Sequence, residues 1–92
     1  MAETARSMIR DTIAAFVQGD AALAREVINR DDLVDGMHEE IFRELLTYMI
    51  SDAGTIPRAL ALLLVARSLE RIADYATNVG EQVVYLVEGT DI

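Results

Sequence analysis

The 92-residue sequence has no cysteine, one histidine, one proline and few aromatic residues. Without cysteine, neither a disulfide framework nor a thiolate metal site can form, so any metal must bind oxygen or imidazole. A reducing, cytoplasmic setting is the simplest expectation. Long apolar runs are missing too: the longest, residues 59–66, covers about two helical turns, too short to cross a bilayer. The N-terminal residues lack the basic, apolar and small-residue order of a secretory signal, and a soluble domain without direct membrane insertion is expected. Basic residues are scarce, eight against sixteen acidic ones, giving a net charge of −8. Such a surface repels a phosphate backbone, which excludes nucleic acid as a natural partner and favours cations or basic protein patches. A charge that only keeps a small bundle soluble is the plainer account of the same numbers.

What the chain does contain is 52% hydrophobic residues arranged with helical period. Apolar residues recur at spacings of three and four, no period-two alternation is sustained, and the breakers fall between three segments. These predict helices over about 3–18, 21–51 and 56–88. Gly19 is placed to end the first and Asp20 to cap the second; Asp52 and Gly54 punctuate the turn before the third. Thr55 is expected to cap that third helix, whose first turn accepts Pro57, and Gly89 closes it. The predicted stripes are Ala5, Met8, Ile9, Thr12, Ile13 and Phe16; Leu23, Val27, Val34, Met37, Ile41, Leu45 and Tyr48; and Leu62, Ala66, Leu69, Ala73, Ala76, Gly80, Val83 and Val87. Short connections make neighbouring helices antiparallel, so the expected fold is all-α, an antiparallel three-helix bundle forming one domain over residues 1–92. A chain this short buries only about 60% of its unfolded surface, and self-association is expected to add to its core.

Two acidic pairs stand out. Asp31 and Asp35 on the second helix, and Glu70 and Asp74 on the third, are each four residues apart and project from one face. Like charges at that spacing cost an isolated helix roughly 0.2–0.5 kcal/mol per pair. With the turn at about residue 53 or 54, antiparallel partners have numbers summing to about 107. The pairs centre on about 33 and 72 and therefore sit within roughly 3 Å of one height. Four converging carboxylates suit a hard cation such as magnesium, calcium, manganese or iron. The competing account is a solvated face, because Arg67 and Arg71 lie three residues before Glu70 and Asp74 and are placed to pair with them. His38, three residues after Asp35, reaches toward the same face. Gly36 marks a bend, a close contact or a tolerated defect in the second helix. Met8, Met37 and Met49 are core filler. No catalytic triad, phosphate-cradling glycine loop or paired nucleophile and base is visible.

The segment Leu69-Glu70-Arg71-Ile72-Ala73-Asp74-Tyr75-Ala76-Thr77-Asn78-Val79 resembles the signature helix of the PhoU family of phosphate-transport regulators. Val84-Tyr85-Leu86-Val87-Glu88-Gly89 looks like the close of that family's second repeat, and Val27 to Asp35 is similar to its other acidic segment. Tyr75 stands where the family often has histidine. The resemblance implies a non-enzymatic regulator of phosphate uptake and phosphate-starvation signalling. It implies as partners the ATP-binding subunit of a phosphate transporter and a sensor histidine kinase. It also implies metal, iron in some members, on Asp31, Asp35, Glu70 and Asp74. The family usually carries two three-helix repeats side by side, and this sequence holds one, so two copies are expected to pair as a dimer. Two other readings remain at this point. One is a metal-free helical interaction domain. The other is a carboxylate-bridged di-iron protein, for which the single histidine falls short of two Glu-x-x-His motifs unless a symmetric dimer supplies Asp35 and His38 twice.

Overall fold

A computed structural model of the chain describes residues 1–89. The expected domain is thus described up to Gly89, and its last three positions, 90–92, lie outside the described residues. Three helices follow one another: α1 (Ala2–Gln18), α2 (Ala21–Ser51) and α3 (Ile56–Glu88), with a 3₁₀ turn (Ala53–Thr55) between the last two. The breakers act locally as their chemistry dictates. Gly19 takes a left-handed conformation at φ 65° that costs a side chain dearly and glycine nothing, and its N–H reaches the Ala15 carbonyl. Asp20 then accepts a hydrogen bond from the Leu23 N–H at 3.0 Å, satisfying one of the orphan donors at the start of α2. Gly89 repeats the left-handed ending after α3.

Thr55 behaves differently from the cap expected of it. Its hydroxyl makes no capping bond to α3 and instead donates to the carbonyl oxygens of Tyr48 and Asp52, 3.1 and 2.7 Å away. It fastens the end of α2, while the Asp52 carboxylate accepts from the Gly54 N–H at 2.9 Å and shapes the turn.

The helices run up, down and up, but they are unequal. At 1.5 Å per residue α1 is about 25 Å long and α2 and α3 about 46 and 50 Å, so α1 flanks only the half of the α2–α3 hairpin remote from its turn. The molecule measures 52 × 18 × 14 Å in consequence. The core lies where all three helices meet. One buried cluster joins Met8, Val27, Val34, Ala73 and Ala76, and a second joins Ala15, Ala21, Ala24, Val83 and Val84. Gly80 permits a close approach of α3 to α2, since a methyl group there would stand 3.3 Å from the Ala24 carbonyl oxygen. Gly36, by contrast, has open space around it, which removes close contact as its explanation.

The core departs from the predicted stripes in a telling way. Of thirteen buried apolar residues eight are alanine, and the rest are four valines and Met8; among the described residues no leucine, isoleucine or phenylalanine is buried. Ile9, Ile13, Phe16, Tyr48, Leu62 and Val87, all assigned to inward stripes by their spacing, are exposed. The small residues bring the helices close and fill the seam alone, so larger side chains on the same arc are displaced to its edges. Leu62 and Tyr48 have a second reason: they point into the part of the hairpin that α1 does not reach.

Two ion pairs tie the helices at the surface. Arg30 of α2 donates to Asp11 of α1 at 2.6 Å, holding the Asp11 carboxyl below its ordinary value, and Arg25 forms a two-point pair with Glu88 at the end of α3.

Candidate metal centre

Glu70 and Asp74 lie on the flank of α3 that faces α2. The antiparallel register brings Asp31, Asp35 and Asp74 together so that one carboxylate oxygen from each lies within 4.8 Å of the other two. Asp31 and Asp35 follow one another by a turn of α2, and Asp74 meets them from α3. Glu70, one turn along α3 from Asp74, lies outside that group of three. Its Oε2 is 3.3 Å from Nδ1 of His38, so the fourth carboxylate borders the cluster as half of an interhelical pair. His38 lies on the face shared with Asp35, as its spacing led one to expect, and its ring nitrogen reaches across to Glu70.

The electrostatics are those of crowded, partly dehydrated carboxylates. Burial raises the Asp31 pKa first, the neighbouring Asp74 charge raises it further, and the Thr77 hydroxyl opposes the shift. The Asp35 carboxyl is likewise raised by burial and then by Asp31 and Asp32, with His38 opposing. Oδ1 of Asp31 is buried without a hydrogen-bond partner. A buried carboxylate oxygen left unpaired is costly unless something positive meets it. The arginines do not supply that charge: among the described residues no ion pair joins Arg67 or Arg71 to Glu70 or Asp74. The two arginine pairs expected of a solvated face are thus absent among the described residues, while Asp35 and Asp74 are exposed, as such a face requires.

This donor set fits a hard cation. It offers oxygen from three carboxylates, Asp31 half-buried with one unpartnered oxygen and Asp35 and Asp74 exposed to solvent. Sequence reasoning missed two contributors. Asp32 adds repulsion to both aspartates of α2, and the sequence does show it as a third acid in the run; Thr77 stands three residues after Asp74, on the same turn, and approaches Asp31.

Fold and site together define a class: a small all-α scaffold in which two long antiparallel helices converge on a carboxylate cluster. The comparison with known families makes that specific. The PhoU domain matches residues 1–83, and the chain belongs to the PhoU family. It is 46% identical over 87 residues to the phosphate-specific transport system accessory protein PhoU homolog of Pseudomonas putida, covering 95% of this chain and 34% of that relative. The homolog of Aquifex aeolicus is also 46% identical, over 89 residues, covering 97% and 40%. The crystal structure of PhoU from Pseudomonas aeruginosa superposes with a TM-score of 0.93 at 42% identity, covering 96% of this chain and 42% of that one. The chain thus spans about a third to two-fifths of the length of the relatives it matches.

Proposed function

We propose that this chain serves phosphate uptake and phosphate-starvation signalling as a non-enzymatic regulatory adaptor in the cytoplasm, and that Asp31, Asp35 and Asp74 hold a hard cation with Glu70 at its border. The relatives carry the name of phosphate-transport accessory proteins, which supports the first part. The observation that carries the second is the buried, unpartnered Oδ1 of Asp31 within three converging carboxylates. A cation there neutralises the cluster and pins α2 to α3, fixing the surface that the adaptor offers. Its partners on this reading are the ATP-binding subunit of a phosphate transporter and a sensor histidine kinase. A second copy of the chain joins the assembly. Among the described residues no helix is long and apolar enough to cross a membrane.

Calorimetric titration of metal-free protein with manganese, iron(II), calcium and magnesium tests the site, alongside elemental analysis of the protein as purified. Saturable binding that disappears in Asp31→Ala with Asp74→Ala is the expected result. Absence of binding by all four ions would leave a metal-free interaction domain. Pull-down of the transporter ATPase or the kinase by wild-type protein and by the same double variant tests the adaptor role. Equal capture by both would remove the carboxylates from it.

A further inference from the structure

All eight basic residues of the chain are arginines, and they divide into two groups. Arg6, Arg10, Arg25, Arg30 and Arg43 each meet a carboxylate. Arg58, Arg67 and Arg71, all on α3, have neither an ion pair nor a side-chain hydrogen bond among the described residues. Acids outnumber bases two to one, so these three do not stand alone for want of partners. Arg67 and Arg71 belong to one ridge. Leu60, Leu64, Arg67, Arg71, Tyr75 and Asn78 follow one another at spacings of three and four, which lines them along one side of the helix for about 27 Å. All six are exposed, Leu60 at 51% and Leu64 at 65% of their full area, and the ridge points away from the core-facing side of α3 at Ala66, Ala73, Thr77 and Gly80. No acidic residue stands on it. Asp74 borders it, sharing a shallow hollow with Arg71, Tyr75 and Asn78, and Glu70 turns away to His38 of α2.

We infer that this ridge is a docking surface for an acidic amphipathic helix of a partner protein. Arg67 and Arg71 take two of its carboxylates, one turn apart, and Leu60 and Leu64 take apolar side chains one to two turns further along. The inference deepens the adaptor role proposed above, on which it rests for the identity of the partners, by stating what their contact segment is made of. Charge complementarity selects the occupant. Two guanidinium groups one turn apart on a helix match two carboxylates at the same spacing on another, each pair two-pronged, and neither arginine has to release an acid of its own first. The leucines repeat that four-residue spacing, so a partner helix meets charge and apolar surface in a single period. The net charge of −8 narrows the choice of position. Within a screening length of ~8 Å an acidic helix is repelled by the rest of the surface and settles only here, which fixes its place on the chain. The same charge counts against other takers of arginine and leucine. An anionic bilayer is held by clusters of about four to eight basic residues, and this ridge has two beside an aspartate cluster. A nucleic-acid backbone meets the same repulsion.

Fluorescence anisotropy with synthetic helical peptides tests the inference. The probe is an alanine-based amphipathic helix with two leucines and, a turn away, two glutamates one turn apart; its reference carries glutamines in place of the glutamates. Wild-type protein is expected to bind the glutamate form ~10-fold more tightly than the glutamine form, and Arg67→Glu with Arg71→Glu to reverse the preference. Unfolding does not produce a reversal. Should circular dichroism show that variant to have lost its helix, Arg67→Gln with Arg71→Gln is expected to abolish the preference instead. Arg6→Gln with Arg43→Gln, at arginines already paired, should bind as wild type does. Purified transporter ATP-binding subunit and purified kinase connect the surface to the adaptor role, and affinity for either should fall ~30-fold with the two glutamates. If wild-type protein captures neither while the peptide preference still reverses, the adaptor reading fails and the docking surface stands. If it captures one, and the glutamate variant captures it equally well, the adaptor reading stands and the inference is overturned. Equal binding of the two peptides by wild-type protein also overturns it. So does attachment through these arginines to phosphatidylserine vesicles in place of the peptide, or self-association that depends on them.

Discussion

The two flanks of α3 are made from one helix, their residues interleaved within a few positions, and they differ in almost every physical respect. Glu70, Asp74 and Glu88 meet α2 with charge: a histidine partner, an aspartate cluster and an arginine clamp. Ile72, Tyr75 and Val79 meet α1 with apolar surface that neither helix covers. The 100° step between residues lets one 33-residue helix serve two neighbours with two chemistries, which meet where Tyr75 lies beside Asp74 and Arg71. The charged flank depends on position within ångströms, because a carboxylate cluster works only when its oxygens converge. The apolar flank depends on area and tolerates rearrangement. The difference teaches that damage to the two flanks should separate cleanly.

The strongest way to break the comparison is to detach α1. Met8 is fully buried and joins α1 to Val27, Val34 and the α3 alanines. Met8→Ala should cost about 2–5 kcal/mol in urea unfolding. Any cation affinity should survive, because the three aspartates belong to α2 and α3. Loss of both together would show the flanks to be coupled. Next in size is the response to metal: at a free cation concentration about 100 times its Kd, wild-type protein should gain about 2.7 kcal/mol by mass action, measured as a rise in Tm, and Asp31→Ala with Asp74→Ala should gain nothing.

A smaller effect concerns protons. Asp31 and Asp35 have raised pKa values in the fold, so the folded metal-free chain binds protons more tightly than the unfolded one. Their contribution to stability is present below the ordinary aspartate pKa, near 3.9, and is lost as pH rises through the raised folded values. Asp11 works the other way, its stabilising bond to Arg30 fading as pH falls through its lowered value. Metal-free Asp31→Asn should therefore lose part of the decline above pH 4 and show a modestly higher Tm at neutral pH. A lower Tm would mean that Asp31 is satisfied by water or a proton already. The smallest effect sharpens the background: Gly36→Ala, in open space on α2, should raise stability by about 0.5–1 kcal/mol in denaturant titration and leave both flanks unchanged.

Much of this was legible in residue order because its causes are local. Gly19 with Asp20, Asp52 with Gly54, and Gly89 each fix a helix end through their own backbone or side chain. Once the turn between α2 and α3 is placed, antiparallel register carries Asp31 and Asp35 opposite Asp74 by arithmetic alone. What was not legible depends on distances between helices. Periodicity marks the apolar arc of a helix and not the depth of each position on it, so Phe16 was assigned to the core and Ala15 was not, and the structure reverses the two. Tyr48 and Leu62 share an inward arc with buried residues and are exposed because α1 stops short of them, a fact of tertiary reach. His38 and Glu70 pair across helices, and spacing within either helix is silent about that.

An alanine seam with bulky side chains outside also changes what it means for this chain to finish folding. A newly made copy can reach its native helices and still present isoleucine, phenylalanine and tyrosine to the cell, the surface by which chaperones recognise immature proteins. Its release from that surveillance would then follow from capture by a partner more than from closure of its own core, and its abundance would track the supply of partners.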